Sequence, residues 1–304
     1  MQENKTQAPI RVAVEEREAW SARRKAIGKG LRRLWRRHPL MFVGIFIMLC
    51  MAAMAIFAPL LFTADPLKVD PPNRLLTPSA DHWFGTDFVG RDVWSRAIYG
   101  ARISLAVGAA VGSISAILAA LIGLFAGYWR PFDNVIMRVM DGIMSIPDIL
   151  LAIALVSIVG GSIQNVIFAL TFVVTPRAVR VVRSQVLSLK EAVYVEAARS
   201  IGAKMPRIVF IHIFPGTIAS VIVIATIIGA SAIVVEAVLS FLGAGTPPEI
   251  PSWGTMMAEG RRTISQAMWV VGFPGMFLTL TVLSVNIIGD NLRDILDPKL
   301  RRSG

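Results

Sequence analysis

Leu40 to Phe62 is a run of 23 residues without a charged side chain, and nothing else in the chain restricts its fold so strongly. At 1.5 Å per residue the run reaches across a hydrocarbon layer about 30 Å thick. Inside that layer each backbone amide must find a partner within its own segment, which leaves an α-helix. A second run, Ile103 to Tyr128, is dense in Ala and Gly, small residues that let membrane helices approach closely. Four further spans are read at 137–160, 163–182, 216–242 and 268–289. The third contains Asp141, Pro147 and Asp148, and the fourth ends in Arg177 and Arg180. The fifth is interrupted only by Glu236, the sixth only by Pro274 and Asn286. The expected fold is an all-α polytopic membrane protein with six transmembrane helices. Charged residues make up 17% of the chain, against about 25% in soluble proteins.

An even number of spans puts both termini on one side, and basic residues say which side that is. The terminal segments and the connections 129–148 and 177–215 hold 24 Lys plus Arg, while 63–102 and 243–267 hold 7. The termini are therefore expected in the cytoplasm. This divides the chain into a basic cytoplasmic segment 1–39, an anchor 40–62 read as uncleaved, and an extracytoplasmic segment 63–102. A core follows at 103–290 with a cytoplasmic loop at 184–215, then a cytoplasmic tail, 291–304.

Several function classes drop out on composition. The net charge of +11 comes from basic residues set between apolar runs and not along one amphipathic face, so it reports sidedness and not nucleic-acid binding. Cys50 is the single cysteine, and His38, His82 and His212 are far apart, which leaves no metal-ligand cluster. Gly28-Lys29 lacks the upstream glycine and the following Ser or Thr of a phosphate-cradling loop. If ATP drives this chain, another chain binds it.

The loop between spans four and five reads "YVEAARSIGAKMPRIVFIHIFPGT" over 194–217. Leu187, Tyr194, Ala198 and Ile201 recur with helical spacing, predicting a helix over Ser188–Ile201. Gly202 ends it, since glycine adopts a left-handed conformation at little steric cost. Pro206 suits the first turn of a second short helix, and Pro215 is expected to break that helix before span five. Two short helices at a glycine corner are compatible with an interfacial connector touching anionic headgroups. They are equally compatible with a docking element, in which Ala197 and Ala198 permit close approach and Glu196 offers a charge.

"EAA", three residues, Gly, nine residues, then "HIFP" closely resembles the cytoplasmic signature of bacterial ABC importer permeases. Glu196, Ala197, Ala198, Gly202 and Pro215 match it, and His212 and Phe214 stand where the signature usually has Ile and Leu. In that family the loop enters a groove on the ATP-hydrolysing subunit. "HWFGTDFVGRDVWSRAIYGARISL" (82–105), "SFLGAGTPPEIPSWGTMMAEGR" (240–261) and "NIIGDNLRDILDPK" (286–299) are similar to segments of the second permease of dipeptide and oligopeptide importers, so the resemblance runs from about residue 40 to the C-terminus. It implies the type I ABC importer permease fold and a non-enzymatic subunit of the bacterial inner membrane. It also implies a second homologous permease as heterodimer partner, two ATPase subunits that bind ATP and Mg, and an extracytoplasmic substrate-binding protein. Di- and oligopeptides are the implied cargo, with glutathione or nickel complexes as alternatives.

Other polar residues are candidates of a lower order. Glu236 falls roughly 30 Å up the fifth helix from Pro215, near the outer boundary, where it offers a contact for a peptide amino end or a structural pairing. Asp141 and Asp148 stand two turns apart, either lining a pathway or pairing with Arg138. Arg177, Arg180 and Arg183 share a face, and inside-positive anchoring accounts for them most simply. In the outer segment Gly85, Gly90 and Gly100 are read as turns, and Trp83 and Trp94 as interface anchors. Gly85, Asp87, Gly90, Arg91 and Asp92 together are a candidate dock for the binding protein.

A secondary transporter would carry its own ion-coupling site and often an inverted repeat, and no repeat is visible. A membrane-embedded enzyme needs a convergent nucleophile, acid and base, and none is visible either. The expected topology has a direct test in intact cells. Cysteines introduced within 63–102 should react with an impermeant external thiol reagent, and cysteines within 184–215 should stay protected; labelling of the latter overturns the topology.

Overall fold

The structure is a computed structural model that describes residues 35, 37–61, 64–247 and 249–296. Most of the basic N-terminal segment and residues 297–304 of the tail lie outside the described residues. The chain forms two compact units, 1–43 and 44–304. In the first, the rings of Trp35 and Phe42 meet at 4.6 Å.

Nine labelled helices carry the description: α1 (Pro39–Ile56), α2 (Val93–Tyr128), α3 (Arg130–Met144), α4 (Asp148–Val159), α5 (Ile163–Leu189), α6 (Val193–Ser200), α7 (Phe214–Phe241), α8 (Trp253–Gly260) and α9 (Trp269–Leu296). The described residues add one isolated β-bridge, Thr86 with Asp92. Among the described residues five segments are long and apolar enough to cross a membrane: α1, α2, α5, the run Met205–Phe241 and α9. The expected third span is instead broken, with α3 and α4 meeting at 90°. Pro147 accounts for the break, because it forbids the helical conformation to the residue before it. The count is five spans, or six with the bent pair taken as one.

The second span is longer than its apolar run. α2 begins at Val93, capped by Asp92, whose side chain accepts from the backbone N–H of Ser95. Gly100 is therefore a helical residue and not a turn. Its place is set by a neighbour, since a Cβ there would lie 3.3 Å from the backbone carbon of Ser252. From the same helix Arg102 reaches the end of α1 and donates to the carbonyls of Ala55 and Ile56. A cation at those unsatisfied carbonyls opposes the negative end of the helix dipole.

Glycine pairs at i and i+4 let α2 approach two partners. A Cβ on Gly108 would fall 2.5 Å from Ile233 Cγ1, and one on Gly112 would fall 2.7 Å from the carbonyl oxygen of Ala225, both on α7. One turn from its other end, Gly123 and Gly127 abut Val182 and Val186 of α5. Apolar side chains gain little by moving from lipid to protein, so dispersion contacts at close range must hold these helices together. One buried cluster accordingly gathers Val107, Val111 and Leu124 of α2 with Leu170 and Val182 of α5 and Leu239 of α7. Gly112→Val should therefore cost about 1–3 kcal/mol by overpacking, read as a lower unfolding temperature of the detergent-purified protein. Gly142→Ala, where a Cβ meets no atom within 4 Å, should leave that temperature unchanged or raise it.

Candidate functional site

The loop after α5 is tied down at its start. Lys190 donates from Nζ to the carbonyl of Gly127 at 3.2 Å, near the end of α2, where a cation opposes the helix dipole. α6 then buries Val195 and Ala198, spaced i and i+3, and Val195 joins Ile208, Val209 and Ile213 in the buried cluster. The apolar stripe expected from the sequence is not the buried one: Tyr194 is 48% exposed and Ile201 86%. Ala198 packs inward, whereas Glu196 and Ala197 face out beside Val193. Helical spacing located this helix and set Ala198 on its inner face, but Val195 and not Tyr194 or Ile201 joins it there.

Gly202 takes φ +81° and closes the helix as expected. Its N–H bonds to the carbonyl of Arg199, and that of Ala203 reaches back to Ala198 at 3.1 Å, the paired bonds of a Schellman ending. A Cβ at Gly202 would meet nothing within 4 Å. The demand for glycine is thus conformational and not steric.

Pro215 does not separate a second short helix from span five. Met205–Arg207, a π-turn over Ile208–Ile213 and α7 run on as one 37-residue segment, Met205–Phe241. In the π-turn the N–H of Phe214 bonds to Val209. The wider turn carries the backbone up to Pro215, whose missing N–H would have broken an ordinary turn. His212 Nδ1 lies 3.2 Å from the carbonyl of Arg207, and half-buried Phe214 packs on the core cluster. Ile208, Val209 and Ile213 thereby join the buried face of α6 to a membrane helix.

The remaining candidates are neutralised within the chain. Asp141 pairs with Arg180 at 2.5 Å and Asp148 with Arg177 at 3.0 Å, not with Arg138. Asp133, which the sequence reading passed over, takes Arg183, with Nη2 to Oδ2 at 2.6 Å. The arginines at i, i+3 and i+6 of α5 thus meet one carboxylate each from the bent pair α3–α4. That spacing was the legible half of the ladder.

Glu236 is fully buried and accepts from Ser240 Oγ at 2.8 Å and Ser252 Oγ at 3.0 Å. It joins α7 to the N-cap of α8, and in this conformation it presents no surface to a passing solute.

The outer candidates also turn inward. Asp87, 1% exposed, accepts from Arg91 at 2.6 Å and from Arg96 at 2.7 Å, and both arginines reach Glu259 of α8 at 2.7 Å. Gly90 has φ +87°, and a Cβ on it would lie 1.8 Å from the carbonyl oxygen of Asp70. Gly85, at φ +72°, abuts the carbonyl of Leu76. Asp92 caps α2 and holds His82 at 3.0 Å. What was read as a docking patch is the scaffold of the outer segment. Trp83 does remain half exposed, its ring 5.1 Å from that of Trp94. Arg96 and Glu259 gave no sequence signal, because their partners stand far off along the chain.

The described residues thus form a bundle of membrane helices with a polar corner rooted in one of them. The family described as "binding-protein-dependent transport system inner membrane component" matches residues 119–302, and the N-terminal transmembrane domain of oligopeptide transport permease C matches 29–78. A probable peptide ABC transporter permease of Sinorhizobium fredii is 51% identical, covering 89% of this chain and 92% of its own. A dipeptide transport system permease of Alkalihalophilus pseudofirmus is 45% identical over 88% of each chain. A glutathione transport system permease of Pectobacterium atrosepticum is 40% identical over 92% of this chain and 94% of its own. The chain belongs to the binding-protein-dependent transport family of inner membrane components. It is a permease subunit of an ABC importer, a multi-pass membrane protein and not an enzyme.

The outer charge network has its own test. Asp87→Ala leaves two buried guanidinium groups to share Glu259, and removing one partner of a buried ion pair costs roughly 3–5 kcal/mol. The purified variant should unfold at a clearly lower temperature; an unchanged temperature means the network carries no stability.

Proposed function

We propose that this chain is one of two different permeases in a peptide importer, with its termini in the cytoplasm and ATP and Mg held by two separate ATPase subunits. The peptide assignment draws on the relatives, most of which are named for peptides or dipeptides, while one is named for glutathione. The 24 to 7 division of basic residues supports the orientation. A substrate-binding protein delivers the solute to the outer segment, where Trp83, Leu76 and Phe88 are exposed.

The observation that carries the coupling is the outward face of α6. Val193, 82% exposed, and Ile201 flank Glu196 and Ala197, so an apolar rim surrounds one carboxylate on a helix whose other face is rooted in Met205–Phe241. Such a surface suits an apolar groove carrying a matching cation. Closure of the ATPase pair presses on α6, and the π-turn carries the displacement into α7. This chain needs no site of its own for nucleotide or coupling ion.

The test is substitution within the corner. Gly202→Val is forced out of the left-handed region, which turns Ala203 and the following residues away from their register with α6. Glu196→Lys reverses the one carboxylate of the rim. Both variants should insert at normal abundance yet lose ATPase subunits on purification and lose most uptake of alanyl-alanine. Glu191→Ala, exposed and outside the signature, is the control; Lys190 is unsuitable because it bonds Gly127. Normal ATPase association and normal uptake in both variants would reduce the loop to a connector.

A further inference from the structure

Two exposed polar stripes remain after the ladder is drawn. On α3, Asn134, Arg138, Asp141 and Ser145 are all exposed, at i, i+4, i+7 and i+11. On α5, Arg177, Arg180, Ser184 and Ser188 are exposed at i, i+3, i+7 and i+11. The Asp141–Arg180 pair joins the stripes edge to edge. The other exposed flank of α3 is apolar, with Val135 66% and Val139 50% exposed. One helix thus presents two surfaces of opposite character.

The α5 stripe begins inside the fourth span, since Arg177 and Arg180 fall within 163–182, and their side chains are 65% and 46% exposed. Ionisable groups in spans face water or protein and not hydrocarbon. The α5 stripe also runs into a cavity of about 810 Å³, lined by Ser184 and Ser188 with Ser220 and Ile224 of α7 and Arg293 of α9. No carboxylate stands among its described lining residues. A space of that size accommodates a small solute.

The charges of this wall do not cancel. Asp148 and Asp141 neutralise Arg177 and Arg180, whereas Arg138 is exposed and makes no hydrogen bond or ion pair among the described residues. Resting on the permease reading above, we propose that the two stripes are this chain's share of the water-filled solute pathway, and that Arg138 receives the carboxylate of the passing solute. Paired charges on either side keep the wall hydrated without holding the solute. One exposed cation between the stripes gives attraction weak enough for release toward the cavity, where Ser184, Ser188 and Ser220 stand among apolar side chains.

The assembled importer, carrying Cys50→Ser, provides a test independent of cargo. Ser145→Cys and Ser184→Cys should react with charged methanethiosulfonate reagents, and Val139→Cys should not. At Ser145→Cys the anionic reagent should be favoured over the cationic one, and Arg138→Gln should lower that preference about fivefold or more by removing local attraction. Arg138→Lys should restore it. In proteoliposomes Arg138→Gln should reduce alanyl-alanine uptake about tenfold at unchanged ATPase co-purification, again with rescue by lysine. Stripe cysteines as silent as Val139→Cys would mean the stripes are sealed against the second permease, and the proposal falls. An unchanged reagent preference, or normal uptake in Arg138→Gln, overturns the role of Arg138. If the unsubstituted importer takes up no alanyl-alanine, the peptide assignment falls and the labelling alone decides the wall.

Discussion

Close approach of α2 to α5 and α7 is the contact on which the rest of the structure depends. Lipid removes the hydrophobic drive that holds soluble cores together, so helices must touch through short side chains or not associate firmly. Two glycine pairs on one long helix meet this need, one pair facing Ala225 and Ile233 and the other facing Val182 and Val186. With α5 and α7 fixed against α2, both ends of the 184–215 loop are fixed too. The loop can then be a stiff corner and not a tether, which a lever requires.

Charge is handled differently at three levels of the molecule. At the outer end Asp87, Arg91, Arg96 and Glu259 form a buried, balanced cluster that ties the outer segment to α8. At the top of α7, Glu236 spends its contacts on Ser240 and Ser252. Along α5 the arginines that pair with Asp133, Asp141 and Asp148 are progressively more open, from Arg183 at 29% to Arg177 at 65% side-chain exposure. The first two arrangements are structural joints, and only the third leaves ions at a surface. That gradient separates enclosed joints from ions left at a surface.

The π-turn at Ile208–Ile213 reconciles two demands on one segment. Proline at 215 removes a donor from the helix, yet the segment runs on without a break from Met205 to Phe241. Widening the turn satisfies both, since Phe214 bonds five residues back to Val209 and the chain passes the proline without a break.

Composition and spacing by themselves determined the membrane class, the approximate spans, the sidedness expectation and the place of Gly202, because each depends on a run of neighbouring residues or on one backbone conformation. The "EAA…G" signature was legible for the same reason. Tertiary structure alone decided which residues meet across the chain. Arg180 and not Arg138 takes Asp141, Val195 and not Tyr194 faces the core, Asp87 and Arg91 turn inward, and Glu236 is enclosed. The bend between α3 and α4 belongs with these: Pro147 marks where a helix can fail, but the ion pairs to α5 set where its halves go. Pairing and burial depend on the rotation of one helix against another, and the close packing that fixes this rotation joins residues as distant in sequence as Arg91 and Glu259, 168 positions apart. No local pattern in a sequence encodes such a distance.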